Sequence, residues 1–265
     1  MSILKKAHYS REMVSTIDPY FSEMFLRKIV RTLSDSLGID MSYGTVYAWI
    51  QKYIPKISEY VNSLSPELSD HWHADELFVK MKKGIDYKVG SKHYDKIAFL
   101  WNVMDRKTRF LLASKLSPFR DDNGAFQEFK EARANSHGQF HEKIFDDGAG
   151  AYRNIGVGTN VKHWNPEVIA RAGVGTPHAN NNRIERLNGT LCKRVKVQKG
   201  WKSMKSQISE GQRIHYNFVK PHETLGEMTP AQRAGIQEGK NWQKLLEKSV
   251  SQTREPKLGN RYKLQ

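Results

Sequence analysis

Three carboxylates at widely separated positions are the residues of this chain that could perform catalysis together. Asp75 lies inside an apolar segment, Asp147 ends another, and Glu185 lies near the start of a strongly basic one. Carboxylates are hard oxygen ligands of the kind that Mg²⁺ and Mn²⁺ prefer. Two such ions about 4 Å apart can stabilise both the attacking and the leaving oxygen of a phosphodiester. If folding brings the three acids together, we expect a two-metal site that acts on a nucleic acid.

The elements that must position these acids are predicted from the spacing of apolar residues. Alternation over residues 71–82 predicts a strand that contains Asp75. The patterns that follow predict strands at 96–105 and 108–116, a helix at 121–134, a short strand within 141–152 and a helix at 181–197. Strands joined by a crossover helix and followed by helices predict a mixed α/β sheet with covered faces.

The helix predicted over residues 181–197 separates an apolar stripe from a polar face. At about 100° per residue, the stripe contains Ile184, Leu187, Leu191 and Val195. The neighbouring face contains Glu185, Gly189, Cys192 and Lys196. We therefore expect Glu185 to border the core and Lys196 to point toward a bound backbone.

Each acid also has a structural interpretation that involves no chemistry. Asp75 could be a solvent-facing strand residue, and Asp-Asp-Gly is a common turn. Glu185 could complement the dipole of its helix as a first-turn acid. His73 is as compatible with a structural role as with a catalytic one. The spacing alone leaves these alternatives open.

The N-terminal third predicts two helices joined by a tight turn. Apolar spacing predicts helices at 26–37 and 43–54, with Gly38 ending the first, Ser42 capping the second and Pro55 closing it. Such a pair is typical of a helix-turn-helix, although a helical hairpin that does not touch DNA has the same pattern. The candidate DNA-binding residues on the second helix are Tyr43, Thr45, Tyr47 and Lys52.

The charge of the chain indicates a polyanionic partner. The formal net charge is +15, of which +11 follows Glu185, whereas residues 1–70 are neutral overall. The candidate DNA contacts around and beyond that acid are Arg183, Arg186, Lys193, Arg194, Lys196, Lys199 and Lys202. The single cysteine excludes an intramolecular disulfide, and no apolar stretch approaches about 18 residues, so we expect a cytoplasmic, nucleoid-associated protein with no membrane partner.

Five segments occur in an order that resembles a known family. They are GTVYAWIQKY, WHADELFVKMK, FDDGAGAY, NNRIERLNGTLCKRVK and HYNFVKPHETLGEMTPAQRAGI. Together they resemble the DDE transposases of bacterial and archaeal insertion sequences, in particular the group called family six, which is similar to retroviral-type integrase cores. The resemblance covers about residues 9–236. The chain departs from the family in lacking an N-terminal zinc ribbon and in having Cys192 where relatives often have Lys or Arg.

The resemblance implies an architecture of two folded parts. It implies an N-terminal all-α helix-turn-helix domain at residues 1–61, a linker at 62–70 and an RNase H-like mixed-sheet core at 71–236. A basic C-terminal tail would follow at 237–265.

The resemblance also implies a reaction. Asp75, Asp147 and Glu185 would bind two Mg²⁺ or Mn²⁺ ions, with Glu76 as the alternative to the first acid and Asp146 directly before the second. The protein would bind double-stranded DNA at transposon ends and in the target, cleave a strand and join it to the target, as a homodimer or higher oligomer. The alternative is a transposase-derived or regulatory DNA-binding protein without transposition activity.

Overall fold

The computed structural model describes most of the chain as helices around one sheet. The described residues are 3–22, 24–89, 91–139, 141, 143–146, 150–152, 167–170, 181–198, 200–237 and 241–252. The helices are α1 (Ile3–Ser22), α2 (Leu26–Leu37), α3 (Tyr43–Val61), α4 (Asp122–Asn135), α5 (Asn182–Val197), α6 (Ile208–Ile214), α7 (Pro230–Arg233) and α8 (Trp242–Gln252). The strands are β1 (His71–Val89), β2 (Lys92–Asp105), β3 (Leu111–Ser117), β4 (Lys143–Asp146) and β5 (Glu167–Ala170).

The sheet is mixed, and its order among the described strands is β3-β2-β1-β4-β5. β1, β2 and β3 form an antiparallel meander, whereas β4 and β5 run parallel to β1. Helix α4 packs on β2 and β3, while α5 packs on β1 and α6 on β3. The predicted fold class, an RNase H-like mixed sheet preceded by an all-α region, is confirmed.

The first two predicted helix boundaries in the N-terminal region are found. Gly38 ends α2 with a φ of 62°, a left-handed conformation that glycine adopts without steric cost. The hydroxyl of Ser42 accepts a hydrogen bond from the backbone N–H of Thr45 and so caps α3.

The predicted end of α3 at Pro55 is wrong, since the helix continues to Val61. Proline costs a helix one hydrogen bond. The turns after it bury Ile57, Tyr60 and Val61. Their burial offsets the loss, because most helical stability in proteins comes from packing of an apolar face.

The N-terminal helices share one apolar core with the sheet-bearing part. α3 packs against α6 and α8, and α1 packs against α8. Phe21 of α1 stacks on Trp242 of α8 with ring centroids 5.2 Å apart. The segment predicted as a basic tail therefore begins with an ordered helix whose Trp242, Leu245 and Leu246 are buried; residues 253–265 lie outside the described part.

The motif HYNFVKPHETLGEMTPAQRAGI has a structural role at the end of the sheet. The side chain of Asn217 donates to the backbone oxygen of Leu111 and accepts from its N–H, both at 2.8 Å. Thr229 and Gln232 form a reciprocal capping box at the start of α7. The two bonds of Asn217 hold the segment that follows α6 against Leu111, the first residue of β3.

No helix in the described ranges has the length and apolar character needed to cross a bilayer.

Candidate functional site

Asp75 lies on β1, half-buried, with both carboxylate oxygens engaged. Its Oδ1 accepts a hydrogen bond from the backbone N–H of Glu76 at 2.9 Å. Its Oδ2 accepts one from the side-chain amide of Asn188 on α5 at 2.8 Å. A strand residue and a helix residue 113 positions apart are thus in direct contact, and the carboxylate has a defined orientation on the α5 side of the sheet.

The orientation of Asn188 is fixed by a chain of polar residues across the sheet. The hydroxyl of Ser114 on β3 donates to Oδ1 of Asn102 on β2 at 2.7 Å. Nδ2 of Asn102 then donates to Oδ1 of Asn188 at 2.9 Å. Asn102 and Ser114 are buried, so satisfied hydrogen bonds are strongly favoured there. The NH₂ group of Asn188 consequently faces Asp75.

The start of α5 is attached to β1 next to Asp75. Nδ2 of the buried Asn181 donates to the backbone oxygen of Ala74 at 3.1 Å, and its Oδ1 accepts from Nδ1 of His73 at 2.9 Å. Burial lowers the pKa of His73 to about 4, although the bond to Asn181 opposes this shift. His73 is therefore neutral near pH 7 and aligns the helix with the strand.

Glu185 lies between these two attachment points. It follows Asn181 by one helical turn and precedes Asn188 by another, so the three residues share one face of α5. Asn181 and Asn188 hydrogen-bond to consecutive residues of β1, Ala74 and Asp75. The fold thus places Glu185 on the Asp75 side of the helix, and its side chain is exposed to solvent.

Glu76, the alternative first acid, belongs to the other face of the sheet. Its side chain is 5% exposed and forms an ion pair with Arg120. It also accepts a hydrogen bond from the hydroxyl of Tyr152 at 2.7 Å. These contacts hold Glu76 on the side that α4 covers, away from the face that carries Asp75 and α5.

Of the two neighbouring aspartates at the predicted second acid, only Asp146 belongs to the described residues. This residue ends β4, is buried, and pairs with Ala170 of β5. β4 runs parallel to β1, with Phe145 opposite His73. Asp147 follows directly in sequence but lies outside the described residues. Within the described part of the chain, no cluster of three or more His, Cys, Asp or Glu side chains is arranged to hold a metal ion.

Four arginines gather beside the same face. Arg183 and Arg186 begin α5, and Arg106 and Arg109 come from the turn between β2 and β3. Burial and the positive charges of Arg183 and Arg186 lower the pKa of Arg109, and burial with the charge of Arg106 lowers that of Arg183. Such a concentration of positive charge favours binding of a phosphate backbone.

The other predicted DNA contacts fall into three groups. Exposed residues are Tyr43, Lys52, Lys193, Lys196, Lys202 and Arg186, while Thr45, Tyr47 and Arg183 are half-buried. Arg194 does not fit the prediction, because it is buried and its guanidinium donates to the backbone oxygen of Tyr20. Lys199 lies outside the described residues.

Sequence reasoning missed the residues that orient the acids. Asn181 and Asn188 stand seven positions apart on either side of Glu185, which is two helical turns. That spacing was a usable signal that all three share a face. Asn102, Arg106 and Arg109 had no comparable signal, because their role depends on strand pairing.

A family model described as "Integrase core domain" matches residues 169–230, which include α5 and α6. Among solved structures, the HTLV-2 integrase catalytic core domain in complex with magnesium is 15% identical, with a TM-score of 0.44 over 64% of this chain and 98% of that one. The Mos1 pre-cleavage transpososome is 12% identical, with a TM-score of 0.35 over 85% of this chain and 69% of that one. No curated protein sequence matches the chain significantly.

The match to the integrase core domain covers residues 169–230, less than a quarter of the chain, and it contains the helix α5 that packs on β1 of the mixed sheet. Asp75 and α5, which carries Glu185, lie where the core sheet and the matched segment meet.

Proposed function

We propose that this protein is a metal-dependent DDE transposase of the insertion-sequence type. It would bind the terminal repeats of its element and cut a strand there. The freed 3′-hydroxyl would then attack a phosphodiester of target DNA and displace the 3′ oxygen of the target strand. The observation that carries the proposal is the hydrogen bond between Asp75 and Asn188. It attaches α5, the helix that contains both Asn188 and Glu185, to the strand that contains Asp75. Two carboxylates on one face of an RNase H-like sheet, bordered by arginines, are the groups that phosphoryl transfer requires.

The donor set fits a hard divalent cation. Asp75 is half-buried and oriented by two N–H donors, and Glu185 is exposed on the same side of the sheet. Asp75 and Glu185, with Asp147 as the third ligand, would hold two Mg²⁺ or Mn²⁺ ions. Such ions, when bound, generate a hydroxide nucleophile and offset the charge of the phosphate.

The basic residues would hold the DNA while the acids act. Arg183 precedes the acid on α5, and Arg186, Lys193 and Lys196 follow it toward the helix C-terminus. These four residues would contact phosphates along the helix. The helix-turn-helix formed by α2 and α3 would recognise the terminal repeat. Because two ends must be brought together, the active form would be a homodimer or higher oligomer.

The proposal is tested by DNA cleavage with a matched active-site variant. Purified protein is incubated with Mg²⁺ and a labelled duplex that carries the terminal inverted repeat flanking its gene. We expect a cut at the repeat end that requires the metal and is absent in Glu185→Gln, while both proteins bind the duplex. Binding without cleavage by the unmodified protein would instead favour a regulatory DNA-binding protein.

Asn188 is expected to act as a positioning residue for Asp75. Asn188→Ala removes the N–H that orients the carboxylate, so cleavage should fall about 10–100-fold. It also removes the acceptor of the buried Asn102 amide, so a modest loss of stability is expected beside it. The concentration of Mg²⁺ needed for half-maximal cleavage should rise as well. Thr190→Ala is the control, because Thr190 lies on the same helix and its hydroxyl bonds only to its own helix backbone. An unchanged metal requirement in Asn188→Ala would contradict the assignment.

A further inference from the structure

A concave surface between the N-terminal helices and the loop after α5 combines aromatic rings with positive charge. We call it the aromatic groove, and its volume is about 530 Å³. Phe25, Tyr43 and Tyr47 supply rings from the start of α2 and the first half of α3. The charged residues that line it are all cationic: Arg27, Lys82 and Lys202.

The rings of the aromatic groove are open to a ligand. Tyr43 is 53% exposed and Phe25 45% exposed, so a large part of each ring faces solvent. The amino group of Lys202 lies 4.1 Å from the ring centroid of Tyr47, and the guanidinium of Arg27 lies 5.8 Å from that of Tyr43. The groove therefore offers flat stacking surfaces and cations within one nucleotide's reach of each other.

The two lysines that line the groove are Lys82 and Lys202. The segment around Lys202 is hydrogen-bonded to β1, the strand that contains Lys82. The backbone of Trp201 donates to the oxygen of Lys80 at 2.9 Å, and the N–H of Lys82 donates to the oxygen of Trp201 at 2.7 Å. Gly200 has a φ of 84°, and an added Cβ would lie 3.1 Å from the Lys80 oxygen. Only glycine suits this position, and the bridge holds Lys82 beside Lys202.

We propose that the aromatic groove binds unpaired nucleotides of a DNA single strand. The proposal rests on the proposed function, and it assigns a single strand, rather than the duplex of the terminal repeat, to Tyr43 and Tyr47 at the start of α3. Unpaired bases expose faces that can stack on Tyr43 and Phe25, whereas a duplex hides those faces in its own base stack. The three cations would neutralise the phosphates of the same strand.

The position of the groove relative to the acids fits a strand that leaves the cleavage site. Glu185 and Val197, which lines the groove, are twelve residues apart on α5. At about 1.5 Å per residue this is roughly 18 Å, which is at most about five nucleotides, the number that applies at the roughly 3.4 Å spacing of duplex DNA. The exposed Lys193 and Lys196 lie between them on the same helix. DNA melted near the cut would thus reach the groove.

The test measures binding without catalysis, in Glu185→Gln protein and without metal. The probes are a 15-nucleotide single strand with one 2-aminopurine, whose fluorescence falls when the base stacks, and the same sequence as a duplex. We expect the single strand to bind with quenching, and Tyr43→Ala or Lys202→Gln to weaken it about 5–100-fold. Tyr43→Phe should retain binding, because the ring is kept.

Tyr53→Ala is the matched control. Tyr53 lies on the same helix with Lys52 and Lys56 over its ring at 5.2 and 5.8 Å, but it does not line the groove. Equal single-strand binding by Tyr43→Ala and the unmodified protein would overturn the proposal, as would binding without quenching. If the groove proposal fails in this way but the protein still cleaves the terminal repeat, the proposed transposase function stands. If the groove binds the single strand but the protein does not cleave the repeat, only the transposase function is refuted.

Discussion

Asp75→Asn is expected to lower metal-dependent cleavage of the terminal repeat by at least about 10²–10³-fold with only a small loss of thermal stability. The magnitude is that of removing one preorganised electrostatic group from a transition state. The loss of stability should be small because the new amide oxygen can keep the hydrogen bond from Asn188, and only the bond from the N–H of Glu76 is lost at a half-buried position. Cleavage rates under single-turnover conditions and a thermal melt give the two readouts.

Glu76→Gln is the matched variant one residue away. It is expected to lower stability and to leave cleavage nearly unchanged, which is the reverse of Asp75→Asn. Glu76 is nearly enclosed, and its charge balances that of Arg120 on the α4 side of the sheet. The substitution should cost roughly 1–3 kcal/mol of the free energy of unfolding. Cleavage by the folded protein should change little. A loss of cleavage in Glu76→Gln with normal activity in Asp75→Asn would assign the first acid to Glu76 instead.

The sequence predicted the parts of this fold that depend on local spacing. Alternation identified the strand that contains Asp75, and the 3.6-residue period identified α5 with Ile184, Leu187 and Leu191 inward. Gly38 and Ser42 predicted two helix ends because capping is decided within a few residues. Glu185 was expected to border the core; its helix packs on β1, and Glu185 itself is exposed.

The parts that sequence reasoning missed depend on contacts between distant segments. Arg194 was predicted to contact DNA because of its charge, but the fold buries it, and its guanidinium donates to the backbone oxygen of Tyr20 on α1. Asn102 becomes a support for Asn188 only through the register of β2. The helix passes Pro55 because its later turns pack against α6 and α8. Each outcome is a tertiary contact overriding a local preference.

A buried ion pair on α6, between Glu210 and Arg213, is hydrogen-bonded to Ser58 of α3 and to Asn62 directly after it. It thereby joins the N-terminal helices to the sheet-bearing part. Arg213 of α6 donates to both carboxylate oxygens of Glu210, at 2.9 and 2.6 Å, and to the side chain of Asn62. The hydroxyl of Ser58 on α3 also donates to Glu210, at 2.6 Å. The side chain of Arg213 is 2% exposed and that of Glu210 15% exposed. This pair therefore helps to place α3, which carries Tyr43 and Tyr47 of the aromatic groove.

Arg213→Leu is expected to cost about 3–5 kcal/mol of the free energy of unfolding, because it leaves the carboxylate of Glu210 buried without a counter-charge. Glu210→Leu should cost a similar amount by leaving Arg213 unpaired. The double variant should lose less than the sum of the two, since removing both charges also removes the cost of burying them. Denaturant unfolding near pH 7 measures all three, and strict additivity would show that the two charges do not interact.

The same pair predicts how stability depends on pH. Burial alone would raise the pKa of Glu210, but the charge and hydrogen bonds of Arg213 and the bond from Ser58 outweigh it, so that its pKa lies below the ordinary 4.5. An acid whose folded pKa is depressed stabilises the fold above its ordinary pKa and loses that contribution as the pH falls through the folded value. The advantage of the unmodified protein over the double variant should therefore be constant near neutrality and shrink below about pH 4.5. An advantage that grows in acid would mean that the carboxyl group of Glu210 is protonated in the folded protein.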